Sequence, residues 1–360
     1  MKGNLKQLNE IINGIKDVDK EIIRKAEDRM TSLAKPLKSL GQLEEMSIKL
    51  SGITGKVKNN IDKKMIIIMC SDNGVIEEGV ASAPQSVTLA QTINFTKGLT
   101  GVAVLAKANN AELMVVDVGI NCDFNHEKVI NKKIRKSTHN IAKGPAMTYE
   151  EAVQAILVGI EAVKNAKEMH CEILGVGEMG IGNTSTSSAV LSSLTNVKVD
   201  DVVGRGGGIT DETFAWKKQV IKKAIEINKP DKNDPIDVIS KVGGFDIAAM
   251  AGVFLGAAYY NIPVVIDGFI SAVAALIAFR LNSKTRDYMF TSHDSRELGF
   301  KVAMEELKLS PILNLDMALG EGSGCPLAFS IIDSACAVMN NMATFEEAEI
   351  NDSYLDELKK

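Results

Sequence analysis

The chain has 360 residues, 45% of them hydrophobic, with a net charge of −5. That is enough apolar chain for one large domain or two closely joined ones, and the acidic balance leaves no broad basic face for nucleic acid. The five cysteines, Cys70, Cys122, Cys171, Cys325 and Cys336, form no CxxC pair; zinc-ribbon and thioredoxin-like frameworks lack support, and free buried thiols in a reducing cytoplasm are expected.

The chain opens with MKGNLKQLNE, a polar stretch in which no signal peptide is visible. LKQLNEIINGI and IIRKAEDRMTSLAKPL then show helical periodicity without strands. Lysines and acids are interleaved over the first 64 residues, the pattern of a solvated helical face rather than a site for an acidic partner.

Five short apolar runs follow: MIIIMCSDNG (65–74), LMVVDVG (113–119), EILGVGEMG (172–180), VVIDGF (264–269) and YMFTSH (288–293). Each reads as a strand that ends in Asp, Gly, Ser or His. Helical patterns precede the second, third and fourth: GVAVLAKANNA, AVQAILVGIEAVKNAKEM and AAMAGVFLGAAYYN. Helices alternating with buried strands predict an α/β fold with a parallel sheet and crossover helices. Ligands of such sheets bind outside the carboxyl ends of the strands, so the polar strand ends are expected to face one crevice. The most apolar region, 247–279, is interrupted by Asn261, Pro263 and Asp267. A membrane span needs about 20 unbroken apolar residues, so a helix, turn, strand and helix are expected there and no membrane partner. NKPDKNDPID (228–237) reads as an exposed connector. Residues 298–310 and 324–349 look helical again. The predicted organisation is a large α/β domain over 61–297 and a small helical domain built from 1–60 plus 298–360.

Three glycine stretches carry candidate chemistry. In LGVGEMGIGNTSTSSAV (174–190), Gly175, Gly177 and Gly180 satisfy G-x-G-x-x-G, with Asp200 and Asp201 about twenty residues on, the spacing of a dinucleotide site. An NAD-dependent oxidoreductase is therefore one reading. Against it, Gly182 and Asn183 would fall in the first helical turn, where they are poor formers, and Glu178 would face a pyrophosphate. The other reading is a nest for one phosphate, in which the amides of Gly180, Ile181 and Gly182 and a following helix N-terminus point at an anion. Asn183, Thr184 and Ser185 suit the helix N-cap. The second stretch, VGRGGGITDE (203–212), has Gly206, Gly207 and Gly208 in a row and Arg205 able to clamp a phosphate or carboxylate. The third, ALGEGSGCPLAF (318–329), sets Glu321 between two glycines, where a substrate can come close. A plain loop glutamate in water is the competing reading. His293 ends the last strand, with a structural role or a substrate contact both open. His126, His139 and His170 read as surface residues, and Trp216 as one that packs a helix.

These stretches, with DNGVIEEGVASAPQSVT (72–88), GGFDIAAMAG (243–252), SHDSRELG (292–299) and MATFEEA (342–348), come in an order that resembles the nicotinate-nucleotide:dimethylbenzimidazole phosphoribosyltransferases over nearly the whole chain. The resemblance implies a Rossmann-like parallel sheet with a small helical subdomain from both chain ends, usually in a homodimer. It implies transfer of 5-phosphoribose from nicotinate mononucleotide to a ring nitrogen of an aromatic base, in cobalamin biosynthesis, with no metal or other cofactor. Carried over residue by residue, Glu321 matches the general base, with Glu178 a second candidate acid and Asp267 a weaker one. Gly180, Ile181, Gly182 and Asn183, with Gly206, Gly207 and Gly208, match the phosphate site. Ala83, Pro84, Gln91, Met179 and Leu319 match the base pocket. The sequence departs from the commoner pattern at Asn73, where His often stands, at Gly207, often Thr, and in ASAPQ (81–85), which lacks a bulkier residue before the proline. Dimethylbenzimidazole, other benzimidazoles, adenine and phenols all remain possible acceptors. A nucleotide-binding regulator of the same fold is the alternative from another class, and Glu321 separates the two, because a sensor needs no base.

Overall fold

A computed structural model describes residues 2–351 and 353. Residues 354–360, assigned above to the small helical domain, lie outside the described residues. Six strands form one sheet: β1 (Lys64–Ser71), β2 (Ala111–Gly119), β3 (Val129–Asn131), β4 (Ile173–Met179), β5 (Val264–Ile266) and β6 (Met289–Thr291). Every pairing is parallel, in the order β3-β2-β1-β4-β5-β6. The chain thus winds outward from β1 in one direction, then returns past β1 and winds the other way. The reversal falls between β1 and β4, and a crevice opens there at the carboxyl ends of the strands.

The sheet forms where β-branched and sulfur-bearing residues run together. All eight residues of β1 and all seven of β4 are buried, as expected of central strands covered on both faces. The helices Phe245–Tyr259 and Phe269–Leu281 lie against the strands from one side, and Ser86–Lys97, Gly101–Ala108 and Cys325–Asn341 also pack on them. The helix Phe245–Tyr259 is buried along nearly its whole length, which explains its uniformly apolar sequence. Among the described residues no helix is long and apolar enough to cross a membrane.

Sequence reading missed β3. Its three residues, Val-Ile-Asn, pair only with Val115–Asp117 and are too short to show a period. The runs at 264–269 and 288–293 contain strands of three residues each, because the polar residues that follow turn into the crevice.

Both chain ends contribute to one helical cluster. The helices Lys20–Ser32, Gln42–Thr54 and Cys325–Asn341 pack together, with Ala26, Met30, Leu33 and Met339 forming a small apolar core. Arg29 Nε donates to the Met339 carbonyl at 2.8 Å, and Leu33 bridges to Thr344. The helices Lys2–Gly14 and Leu298–Leu307 instead lie on helices of the sheet body.

Candidate active site

The crevice at the β1/β4 reversal is the place where most of the singled-out residues meet. Ala83, Gln91, Glu178, Met179, Gly180, Ile181, Gly182, Asn183, Gly206, Gly207, Asp267, Leu319 and Glu321 all line it. Pro84 and Gly208 are not among its walls. Pro84 is exposed, and its carbonyl accepts the Val87 N–H at 3.1 Å, so it serves the turn into the helix Ser86–Lys97. Gly208 closes the turn of its own loop, donating to the Arg205 carbonyl at 3.2 Å with a φ of +98°.

Glu321 stands at the centre of an unusual turn. Gly320, Glu321 and Gly322 have φ values of +79°, +65° and +87°. A non-glycine residue held left-handed is strained by about 1–3 kcal/mol and needs surrounding structure to keep it there. That structure is two buried acids. Glu178 Oε1 accepts the Glu321 N–H at 3.2 Å. Asp267 Oδ2 accepts the Gly322 N–H at 2.9 Å, and Asp267 Oδ1 the Gly324 N–H at 2.7 Å. The Glu321 side chain is thereby aimed across the crevice, where Gln91 Nε2 donates to its Oε1 at 3.2 Å. Its Oε2 lies by the start of the helix Gly101–Ala108, whose first N–H groups, at Gly101 and Val102, act on the carboxylate. Burial pushes the Glu321 pKa up, against the opposing pull of the Val102 N–H and the Gln91 amide. A buried carboxylate with raised proton affinity in the wall of a crevice suits a general base.

Glu178 belongs to a buried polar cluster. Its Oε2 accepts from Asn183 Nδ2, which also donates to Asp246 Oδ2 at 3.2 Å. Burial, reinforced by the Asp246 charge, pushes Glu178 up to about 8. Burial likewise raises Asp246 to about 6 and Asp267 to about 7.

The helix after β4 runs over Asn183–Thr195 and is capped by Gly182, which is left-handed at φ +96°, with no side-chain cap. This corrects the expectation that Asn183, Thr184 or Ser185 would cap it: Asn183 is already helical, and its amide is drawn to the two buried acids. The amides at this turn are also not all available to an anion. The Ile181 N–H goes to Thr88 Oγ1 at 3.2 Å and the Asn183 N–H to the Gly180 carbonyl at 3.0 Å. In the second loop the Gly206 N–H goes to Glu297 Oε1 at 3.1 Å.

Lys217 fills the gap, and sequence reading missed it. It lies in the helix Asp211–Asn228 and is 1% exposed. Its Nζ donates to Thr184 Oγ1 at 2.8 Å and to the Gly204 carbonyl at 3.2 Å, so it bridges the two glycine loops. Burial lowers its pKa to about 8. A buried ammonium that lines the crevice and is balanced only by the more distant Glu297 charge can receive an anion.

The G-x-G pair in β4 has a different purpose from a dinucleotide fingerprint. Gly175 and Gly177 sit inside the strand, not in the turn after it. A Cβ on Gly177 would lie 2.3 Å from the Glu321 carbonyl oxygen, and one on Gly175 2.6 Å from Cys325 Cβ. These glycines let the Glu321 turn and the helix behind it rest directly on the strand.

Other residues take plainer places. Arg205 is half exposed and bonded to Asp211 and to the Ile209 carbonyl. Trp216 is 48% exposed rather than packed in a helix interface, and its Nε1 donates to the Glu78 carbonyl at 2.7 Å. His139 and His170 are exposed and His126 half-buried, while His293 is buried in the crevice wall. Cys70, Cys171, Cys325 and Cys336 are buried free thiols, and Cys122 is partly exposed. Among the described residues no group of three or more His, Cys, Asp or Glu could hold a metal ion.

The crevice therefore brings a buried lysine, the apolar side chains of Ala83, Met179 and Leu319 and a buried carboxylate, Glu321, into one wall lining. A phosphoribosyltransferase family model matches residues 15–350. The chain is 62% identical over 352 residues to the nicotinate-nucleotide–dimethylbenzimidazole phosphoribosyltransferase of Clostridium perfringens (strain ATCC 13124), covering 98% of each chain. It is 53% identical to the enzyme of that name from Clostridium tetani, over 97% of this chain and 96% of that one. A crystal structure of the Thermus thermophilus enzyme superposes with a TM-score of 0.88 at 36% identity, covering 93% of this chain and 100% of that chain.

Proposed function

The chain belongs to the nicotinate-nucleotide–dimethylbenzimidazole phosphoribosyltransferase family, and from that premise we propose how its crevice carries out the transfer. It is a phosphoribosyltransferase. Nicotinate mononucleotide enters with its phosphate between the Gly182 turn and Lys217, and the aromatic acceptor lies against Ala83, Met179, Leu319 and Gln91. The bond from the anomeric carbon to the pyridinium nitrogen breaks, and its electron pair neutralises that ring, so nicotinate leaves without help from an acid. A nitrogen of the acceptor forms the new bond to the same carbon from the opposite face. The acceptor's other ring nitrogen gives its proton to Glu321, a step contributing about 10²–10⁴ in rate.

Glu178 and Asp267, in this reading, serve the reaction through the backbone they hold. Each fixes peptide N–H groups of the turn that carries Glu321, and fixed geometry is itself a source of rate.

The single observation that carries the proposal is Glu321 held left-handed between two glycines in the crevice wall, its proton affinity raised by burial. The test is direct. Purified protein given nicotinate mononucleotide and a benzimidazole, without added metal, is expected to release nicotinate and form the ribotide, both seen by chromatography. No release with dimethylbenzimidazole, other benzimidazoles, adenine or a phenol would end this reading. The same screen names the acceptor. We propose further that the product enters cobalamin biosynthesis and that the enzyme works in the cytoplasm as a homodimer, the latter checked by its mass in solution.

A further inference from the structure

His293 takes no part in the phosphate or base contacts, yet it is 1% exposed and lines the same crevice. It follows β6, and its backbone is fixed by a bridge to Leu313. The neighbouring Ser292 determines which ring nitrogen carries the proton. The Ser292 hydroxyl has one hydrogen, and it donates this to the Asp267 carbonyl at 2.8 Å. Its oxygen is then left to accept from His293 Nδ1, 3.1 Å away. Asp267 Oδ1, at 3.8 Å, favours the proton on the same nitrogen. In the neutral ring this leaves Nε2 as a bare acceptor, and burial keeps the ring neutral by holding its pKa down.

Nε2 finds no donor among the described residues. A buried acceptor left unmet is destabilising and calls for an explanation. Its place in the crevice supplies one. A Cβ built on Gly268 would lie 3.6 Å from His293 Cε1, 3.7 Å from His293 Nε2 and 3.6 Å from Ser295 Oγ, all ordinary contacts. Gly268 thus runs beside the His293 ring and Ser295 Oγ, and all three residues line the crevice, so the bare nitrogen stands in the wall of the site.

We propose that His293 Nε2 accepts a hydrogen bond from a ribose hydroxyl of the bound nucleotide, with Ser295 Oγ beside it, forming a subsite that reads the sugar. The inference rests on nicotinate mononucleotide being the donor substrate. Its chemistry then leaves little choice. The nicotinate carboxylate and the ionised phosphate only accept, so the two sugar hydroxyls are the only donors the ligand has. An acceptor nitrogen in this crevice can be met by nothing else on that molecule.

The experiment compares dissociation constants for nicotinate mononucleotide and its 2′-deoxy and 3′-deoxy analogues, measured by calorimetry without an acceptor base. One of the analogues is expected to bind the wild-type protein about tenfold more weakly than the parent, the size of one neutral hydrogen bond. In His293→Leu that difference should vanish, through loss of affinity for the parent. In His293→Gln, whose amide oxygen can stand near the lost nitrogen, part of it should return. Equal affinities of the wild-type protein for all three nucleotides overturn the contact without recourse to any variant, and so does full discrimination in His293→Leu. Failure of the wild-type protein to bind or turn over the parent nucleotide would instead strike the transferase reading, so the two failures are distinguishable.

Discussion

The carboxylate of Glu178 accepts the peptide N–H of Glu321 across 3.2 Å, so one buried acid holds the backbone of another. The two are 143 positions apart in the chain, brought together because Gly177 lets the Glu321 turn lie on β4. This contact ties the strand end to the base and underlies the first two predictions.

Glu321→Gln keeps the shape of the side chain and removes its ability to take a proton. Turnover should fall by at least about a hundredfold, as expected for a lost general base, while the dissociation constant for nicotinate mononucleotide stays within a fewfold of wild type. Steady-state rates and calorimetry check the two halves. Unchanged turnover would take Glu321 out of its role.

Glu178 should show itself in the pH dependence of stability. Its pKa is raised from 4.5 to about 8 by burial. Between those values the folded state binds more proton than the unfolded state, so this group's contribution is full below about 4.5 and is lost as pH rises through about 8. Asp246 and Asp267 act in the same sense up to about 6 and about 7. Glu178→Gln has no such proton to lose. Its melting temperature relative to wild type should therefore improve steadily from about pH 5 to about pH 8. A constant offset over that range would contradict the raised pKa.

Lys217→Met removes the buried ammonium while keeping most of its volume. A hydrogen bond to a charged group contributes about 1.5–3 kcal/mol, so the KM for nicotinate mononucleotide should rise by roughly tenfold to a hundredfold, with a smaller change in kcat. The free lysine titrates at about 8 because of burial. Its positive form is present below that value, so wild-type affinity for inorganic phosphate should weaken as pH rises past it, and the variant should lack that step.

Gly177→Ala tests the packing of the base turn. Its new Cβ would meet the Glu321 carbonyl oxygen at 2.3 Å, which the backbone must relieve by moving. We expect kcat to fall at least about tenfold, since misplacing a catalytic group by about 1 Å can lower rates roughly a hundredfold. Phosphate affinity, which the proposal places at Gly182 and Lys217, should change little. Retention of full activity would mean that the turn is not held where β4 places it.

Much of this molecule can be read along the chain, and the reason is local. Alternating apolar strands and helices announce a parallel sheet, because residues buried on both faces must be apolar throughout. The polar ends of those runs mark the crevice, and Glu321 between Gly320 and Gly322 announces a carboxylate open to close approach, though not the left-handed turn that holds it. Those signals are written in neighbouring residues, so sequence alone determined the fold class and the glycine and acid part of the crevice lining, while Ala83, Gln91 and Leu319 came from the family resemblance. The rest is decided by residues far apart in sequence. Lys217 sits in a helix whose lysines look solvated, and only its docking beside Thr184 and Gly204 makes it a buried charge. Gly175 and Gly177 match a dinucleotide motif by spacing, but their partners are Glu321 and Cys325. The bare nitrogen of His293 follows from a hydroxyl already committed to Asp267. Burial, desolvation and the sharing of single hydrogens belong to tertiary contacts, and no spacing along the chain encodes them.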